Sequence, residues 1–275
     1  MTGTSLHFMK ERIKNFLKKK NVYYHLKYSG LFRLYEMIFK PQQAKQRQTE
    51  ISFYQSFLPR CRLIFDIGAY DGHKTSAFLA ISDRVVCCEP DEENFKVLSI
   101  RFRNHKNRVV IENKAVSDKE GEARLHIHHD ASAFNTLSGK WAKLLEDDNK
   151  QKWNEEIRFV QTKTVITTTL DRLVAKYGVP DFIKIDVEGF EQWVLKGLSH
   201  RVAFVSFETL LPEYAEELQS CLSRIEALCT TASYNIALQE KLVLEKFVSK
   251  TELDAWLATH KPALSFEVVA KMVNE

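Results

Sequence analysis

Five residues, Leu63-Ile64-Phe65-Asp66-Ile67, form a short and almost continuously apolar run that stops at Gly68. A run of this kind suits a strand buried on both faces of a sheet. A helical stretch over 74–81 follows, then the apolar run Val85-Val86-Cys87-Cys88. Next come a helix over 91–102, with Asp91 placed to cap it, and the run Val109-Val110-Ile111. Buried strands alternating with helices predict a parallel α/β sheet, because each parallel strand needs a long crossover to bring the chain back. The rhythm resumes at Phe182-Ile183-Lys184-Ile185-Asp186, with a helix over 190–198, a strand over 203–207 and a helix over 213–229.

Between the two halves lies a less regular insert. Residues 123–128 and 160–169 alternate like strands, and 130–155 is polar with Trp141, Leu144, Leu145 and Trp153 as anchors. The tail predicts strands at 234–238, 243–248 and 265–272 and a helix over 251–259. Ahead of the sheet, residues 6–20 carry Met9, Ile13, Phe16 and Leu17 at helical spacing among lysines. A second helical pattern, Leu31, Leu34, Tyr35 and Ile38, is expected to end at Pro41. Residues 42–50 read as a linker or exposed helix, and Ile51, Tyr54, Phe57 and Leu58 as a short helix stopped at Pro59. Residues 1–48 hold eleven Lys/Arg against two Glu, whereas the chain as a whole carries only +4. The expected division is therefore a basic helical arm, 1–48, and a mildly acidic catalytic-type domain, 49–275.

Three constellations could carry chemistry. The first is Asp66-Ile67-Gly68-Ala69-Tyr70-Asp71-Gly72, at the first strand-to-helix turn, where open α/β sheets bind ligands. Its spacing is GxxxG, and Tyr70 stands where a dinucleotide motif would place the glycine that admits a pyrophosphate. Asp66 and Asp71 would repel a phosphate and attract a cationic sulfonium or ammonium. A tight turn without a ligand is the competing reading. The second is Glu89, at the end of the second strand, where an acidic side chain can accept hydrogen bonds from both hydroxyls of a ribose or can merely cap the next helix. The third is Ile183-Lys184-Ile185-Asp186-Val187-Glu188-Gly189-Phe190-Glu191. Neighbouring carboxylates push one another's pKa apart, so Asp186 or Glu188 could take a proton from a hydroxyl or hold a hard cation. Glu191 reads better as a helix cap.

The segments FDIGAYDG, CCEPD, NKAVSD, TTTLDRL and IKIDVEGFE occur in this order and at suitable spacing. Together they resemble the FkbM-type methyltransferases, over about residues 50–210. The resemblance implies a Rossmann-like class I methyltransferase, a mostly parallel twisted sheet flanked by helices, here with a helical N-terminal extension. It implies S-adenosylmethionine as methyl donor and, as a rule, a hydroxyl acceptor on a sugar, glycolipid or polyketide. By position it puts Asp66, Gly68, Ala69, Tyr70, Gly72 and Thr75 around the methionine end of the cofactor and Glu89 on the ribose. Asn113 and Ala115 would lie near the adenine, and Asp186 and Glu188 would face the transferred methyl. Tyr70 departs from relatives, which often carry a small amide residue there.

The expected activity is O-methylation of a sugar, glycolipid or related small molecule. A nicotinamide oxidoreductase and a non-catalytic membrane- or partner-binding protein on the same fold are the alternatives. Ser132, Asn135 and Thr136 form a polar set suited to a hydroxylated acceptor. Of His126, His128 and His129, the first two share a strand face and could ligate metal or act as a base, but such histidines read better as solvent-facing strand residues, so no metal site is assigned. The basic arm reads equally well as a lid or as a contact with an anionic membrane surface, with nucleic acid third. A homodimer stays open. The five cysteines form no CxxC or Cys/His cluster and are expected as free thiols in a reducing compartment, the cytoplasm. No secretory signal is expected.

Overall fold

The computed structural model describes residues 22–29, 41–148, 156–260 and 265–273. The helices read over 6–20 and 31–38, and Trp153, lie outside the described residues. Along the chain the elements are α1 (Val22–Lys27), α2 (Pro41–Gln55), β1 (Cys61–Ile67), α3 (His73–Ile81), β2 (Ser82–Cys88), α4 (Glu92–Arg101), β3 (Val109–Glu112), β4 (Ala115–Val116) and β5 (Gly121–Ile127). They continue with α5 (Gly139–Asp147), β6 (Gln161–Thr168), α6 (Leu170–Tyr177), β7 (Phe182–Ile185), α7 (Glu191–Lys196), β8 (Phe204–Thr209), α8 (Ala215–Leu228), β9 (Ser233–Ala237), α9 (Lys250–His260) and β10 (Phe266–Lys271).

Seven strands form one sheet in the order β3-β2-β1-β7-β8-β10-β9. The first five run parallel, and β10 lies antiparallel between β8 and β9. This is the expected Rossmann-like α/β sheet. β4, β6 and β5 make a second, three-stranded sheet. The alternation along each strand feeds two packed layers. On one face Ile64 and Phe182 meet Tyr54 from α2 and Phe78 from α3. On the other, Phe65, Ile183 and Val205 pack against Leu173 of α6, Leu195 of α7 and Leu222 of α8.

The structure corrects three expectations. The helix read over 31–38 lies outside the described residues, and Pro41 is the first described residue of α2, a position where its missing N–H costs nothing. The polar stretch 42–50 runs on through Ile51 and Tyr54 as one helix, α2, which ends at Gln55 and buries Phe53 and Tyr54 while residues 45–49 are exposed. Residues 243–248 form no strand; they lie along β9 through isolated bridges, Tyr234 to Val248 and Ala237 to Leu242. Helices α5 and α6 were not foreseen, although each starts on a side-chain cap. Ser138 accepts from the Trp141 N–H, and Thr169 from the Arg172 N–H.

β1 lies between β2 and β7, so the chain leaves it in opposite directions on its two sides. The carboxyl ends of β1 and β7 are therefore the topological switch point, where an open α/β sheet leaves a crevice. Among the described residues, no helix is long and apolar enough to cross a membrane. All five cysteines are buried free thiols.

Phe182 is completely buried, with the rings of Tyr54, Phe78 and Phe57 at centroid distances of 5.8, 5.7 and 6.2 Å. Phe182→Ala is expected to cost about 3–5 kcal/mol, read from the denaturant midpoint at unchanged slope.

Candidate active site

The turn after β1 approaches the turn after β7 backbone to backbone. The Asp186 N–H donates to the Ile67 carbonyl at 2.8 Å. A Cβ on Gly68 would lie 1.8 Å from the Asp186 carbonyl oxygen, and Gly68 has φ +85°. Only glycine meets both demands. Gly72, at φ +79°, would drive a Cβ into Phe102 and Leu98 of α4. Between them Tyr70 holds φ +49°, and across the crevice Glu188 holds +56°. Left-handed backbone at two non-glycine residues stores strain on both sides of one cleft.

The two turns border an open cleft at the switch point. Gly68, Tyr70, Glu89, Ala115, Asp186 and Glu188 line it. Ser132, Asn135 and Thr136 line it too, so the polar set read as an acceptor contact forms a wall of this same cleft. The other expected residues stand behind the wall. Asp66 is buried and accepts from the Thr75 hydroxyl at 2.5 Å. Ala69 packs with Leu98 and Phe102. Asn113 does not line the cleft; its amide donates to the Glu89 carbonyl at 2.9 Å, fixing the Glu89-Pro90 backbone.

Glu89 is nearly buried; its Oε2 accepts from the Tyr70 N–H and its Oε1 from the Asp91 N–H, both at 2.9 Å, and the Asn94 side chain also bonds to the carboxylate. A carboxylate has about four acceptor positions, so these three bonds leave room for a hydroxyl donor from a ligand. Burial pushes its pKa up to about 8, against the pull of those bonds. Pro90, Val116 and Leu125 give the neighbouring wall an apolar surface suited to a flat base.

At the β7 end the charge is unbalanced. Lys184, one residue before Ile185, is buried with its Nζ 3.5 Å from Asp186 and 3.8 Å from Glu267. Burial works against its charge, but Asp186 and Glu267 outweigh that and hold it above the ordinary lysine value. Around it burial raises Asp66 to about 6, with Asp186 adding to the shift, and Glu208 to about 7. Burial, then Asp186, Glu208 and Glu191, push Glu188 well above the carboxylate range. Glu191 is acidic in the first turn of α7 but makes no side-chain cap bond to it. Its Oε1 accepts instead from the N–H groups of Gly189 at 3.1 Å and Val187 at 3.3 Å, ahead of the helix, tying down the turn that presents Glu188.

A second, smaller pocket opens beside the cleft, with Glu188 in both walls. Trp141, Glu208 and Tyr214 line it. None of these three was read from the sequence as a site residue, Trp141 only as an anchor of the insert. Glu208 follows the rule that reactive groups sit at the carboxyl ends of strands, so its position in the run ending Phe207-Glu208-Thr209 was a usable signal. Trp141 and Tyr214 had none, because they meet only through tertiary packing, at a centroid distance of 5.4 Å. His128 bonds through Nδ1 to the Arg158 backbone, and no metal-holding group of three or more His, Cys, Asp or Glu occurs among the described residues.

A mostly parallel seven-stranded sheet in this order, with a glycine turn after β1 and acidic residues at the ends of β2 and β7, is the Rossmann-like α/β fold of methyltransferases. Residues 66–260 match the sequence profile of the methyltransferase FkbM domain. The chain belongs to the FkbM methyltransferase family, enzymes whose methyl donor is S-adenosylmethionine. Membership leaves no place for the nicotinamide alternative. Comparison with curated proteins finds no match. Among solved structures, the chain is similar to the methyltransferase FkbM of Methylobacillus flagellatus, with 13% identity and a TM-score of 0.48. The match covers 78% of this chain but 44% of that one, so the chain spans less than half of that protein's length. It is also similar to the precorrin-6y C5,15-methyltransferase of Geobacter metallireducens, at 10% identity and TM-score 0.41, covering 82% and 87% of the two chains. An rRNA methylase of Streptococcus thermophilus gives 10% identity and 0.39, covering 82% and 94%. Likenesses this loose say nothing about the acceptor.

Glu89, Glu208 and Asp66 hold protons in the folded state that the unfolded chain releases near the ordinary carboxylate values of 4.5 and 3.8. Their contribution to stability is thus present at low pH and lost as pH rises through their folded values, up to about 8. The thermal midpoint of the cofactor-free protein is expected to fall across this window, and Glu89→Gln to flatten its upper part in a melting series against pH.

Proposed function

We propose that this protein transfers a methyl group from S-adenosylmethionine to a hydroxyl of a sugar, glycolipid or related small molecule. The observation that carries this reading is the position of Glu188, a carboxylate of raised proton affinity in the walls of both the cleft and the smaller cavity beside it. A carboxylate whose proton affinity is raised above the ordinary range is the stronger base toward a hydroxyl proton as the oxygen attacks.

The donor set fits the cofactor. Glu89 would accept from a ribose hydroxyl, and Ala115 and Pro90 would border the base. The Gly68–Tyr70 backbone and Asp186 would receive the methionine end. When bound, the cofactor supplies an electrophilic methyl on a cationic sulfonium. Asp186, held by Lys184, would place negative charge near that cation. Ser132, Asn135 and Thr136 would close the cleft over the nucleoside or reach the acceptor's edge. Trp141 and Tyr214 would offer the acceptor an aromatic wall with polar tips, which suits a ring bearing hydroxyls. Catalysis then comes mainly from holding oxygen, methyl and sulfur in line. The basic arm would add contact with an anionic membrane surface carrying the acceptor.

Transfer of radiolabelled methyl to a panel of mono- and oligosaccharides, glycolipids and amines tests the reading. Labelled hydroxyl acceptors are expected, with Glu188→Gln and Asp186→Asn each lowering turnover about 10²–10⁴-fold while cofactor still binds. Labelling of amines alone, or full turnover in both variants, would contradict it.

A further inference from the structure

The turn from Gly68 to Gly72 contains three residues in the left-handed region, at 68, 70 and 72. One bond within the turn, from the Gly72 N–H to the Ala69 carbonyl at 2.8 Å, and one from the His73 N–H to Asp71 Oδ1 at 3.0 Å hold it locally; the rest of its shape depends on what grips it from outside. Glu89 grips Tyr70 from the cleft side, and Leu98 and Phe102 close on Gly72. Asp71, the residue between, is gripped from the opposite side. Arg101, at the end of α4, donates from Nη1 to the Asp71 carbonyl at 2.7 Å and to its Oδ1 at 3.1 Å. The other carboxylate oxygen, Oδ2, accepts from the Tyr28 hydroxyl at 3.3 Å and lies 3.6 Å from the Lys27 ammonium. The Arg101 guanidinium also sits over the Tyr28 ring, 5.0 Å from its centroid.

We infer that α1 and Arg101 form an outer clamp on the cofactor turn, making Lys27, Tyr28 and Arg101 positioning residues for S-adenosylmethionine binding. This rests on the cofactor reading of the turn and adds the part played by the N-terminal segment. α1 has six residues and buries none of them, so it is too short to persist by itself and contributes little to the core. It is held by packing on α4 and by the Asp71 cluster. The cluster is partly shielded: the side chains of Arg101, Asp71 and Lys27 are 16%, 24% and 33% exposed, so their pairing counts for more than a surface ion pair. Burial, then Asp71, raise the Tyr28 pKa, which keeps its hydroxyl a donor across the working range. Tyr24 stacks on Tyr28 at 6.4 Å with planes 12° apart, extending the contact along α1. α1 docks where the turn has its closed shape, and a ligand that binds that shape must favour docking by the same factor.

The test uses the full chain and S-adenosylhomocysteine as the probe. Calorimetric titration of wild type, Lys27→Ala/Tyr28→Ala, Arg101→Met and Arg101→Lys gives affinities. Hydrogen exchange at residues 22–29, with and without S-adenosylhomocysteine, gives the reciprocal effect. The clamp predicts affinity weakened about fivefold or more in the double variant and in Arg101→Met, with partial recovery in Arg101→Lys. It also predicts that S-adenosylhomocysteine slows exchange at 22–29 in wild type and not in Arg101→Met. A purely structural role for α1 would not make its exchange depend on the ligand. Wild-type affinity in the double variant, which removes no buried residue, or ligand-independent exchange at 22–29, would overturn the clamp alone. No binding by folded wild type would overturn the methyltransferase reading and the clamp with it.

Discussion

Everything at this site depends on two backbone turns meeting across the switch point of the sheet. Gly68 lies so close to the Asp186 carbonyl that no side chain fits between them. That contact brings the end of β1 beside the end of β7 and sets Glu89, Asp186 and Glu188 around one cleft. Because β1 is paired with β2 on one side and β7 on the other, the sheet fixes the spacing of all three carboxylates before any ligand arrives. A pre-set arrangement of this kind spares the cost of organising charge at the moment of reaction.

The same cleft is electrostatically uneven. Lys184 sits beneath Asp186 with Glu267, Glu208 and Asp66 all acting on it, and Glu188 and Glu191 close by face one another's charge. Burial first, and this crowding after it, raise the carboxylate pKa values. Such a site fits a cationic ligand, and it disfavours the pyrophosphate of a dinucleotide. The raised proton affinity that costs stability at neutral pH is also what a proton acceptor for a hydroxyl requires. Structure and reactivity thus draw on one feature, the burial of more acid than base at the ends of β7 and β8.

Much of this was legible in the sequence, for physical reasons that differ by element. The central strands β1, β2, β7 and β8 are buried on both faces, so their apolar runs announce them. Asp91 could be read as a cap because a short acidic side chain before a helical pattern has few other uses, and its Oδ1 does accept from the Glu93 and Asn94 N–H groups. The FkbM resemblance rested on short motifs at strand ends, and those positions do converge for Gly68, Tyr70, Glu89, Ala115, Asp186 and Glu188. What failed to show was whatever tertiary packing decides. α2 is polar over its first half and gives no helical stripe, yet Tyr54 anchors it. Residues 243–248 alternate like a strand but pair only through bridges. Asn113 sits in a recognisable motif, but its bond to the Glu89 carbonyl is a tertiary contact that the motif does not announce. Arg101 and Tyr28 meet Asp71 from 30 and 43 residues away, a distance no local pattern spans.

The central claim is that the β1–α3 turn and Glu89 form a site for S-adenosylmethionine. Calorimetric titration of the purified protein with S-adenosylhomocysteine, beside NAD as control, tests it most directly. The account predicts one saturable site for S-adenosylhomocysteine, lost in Glu89→Ala, and no heat of binding with NAD. Binding of NAD in place of S-adenosylhomocysteine, or of neither by a folded protein, would contradict it.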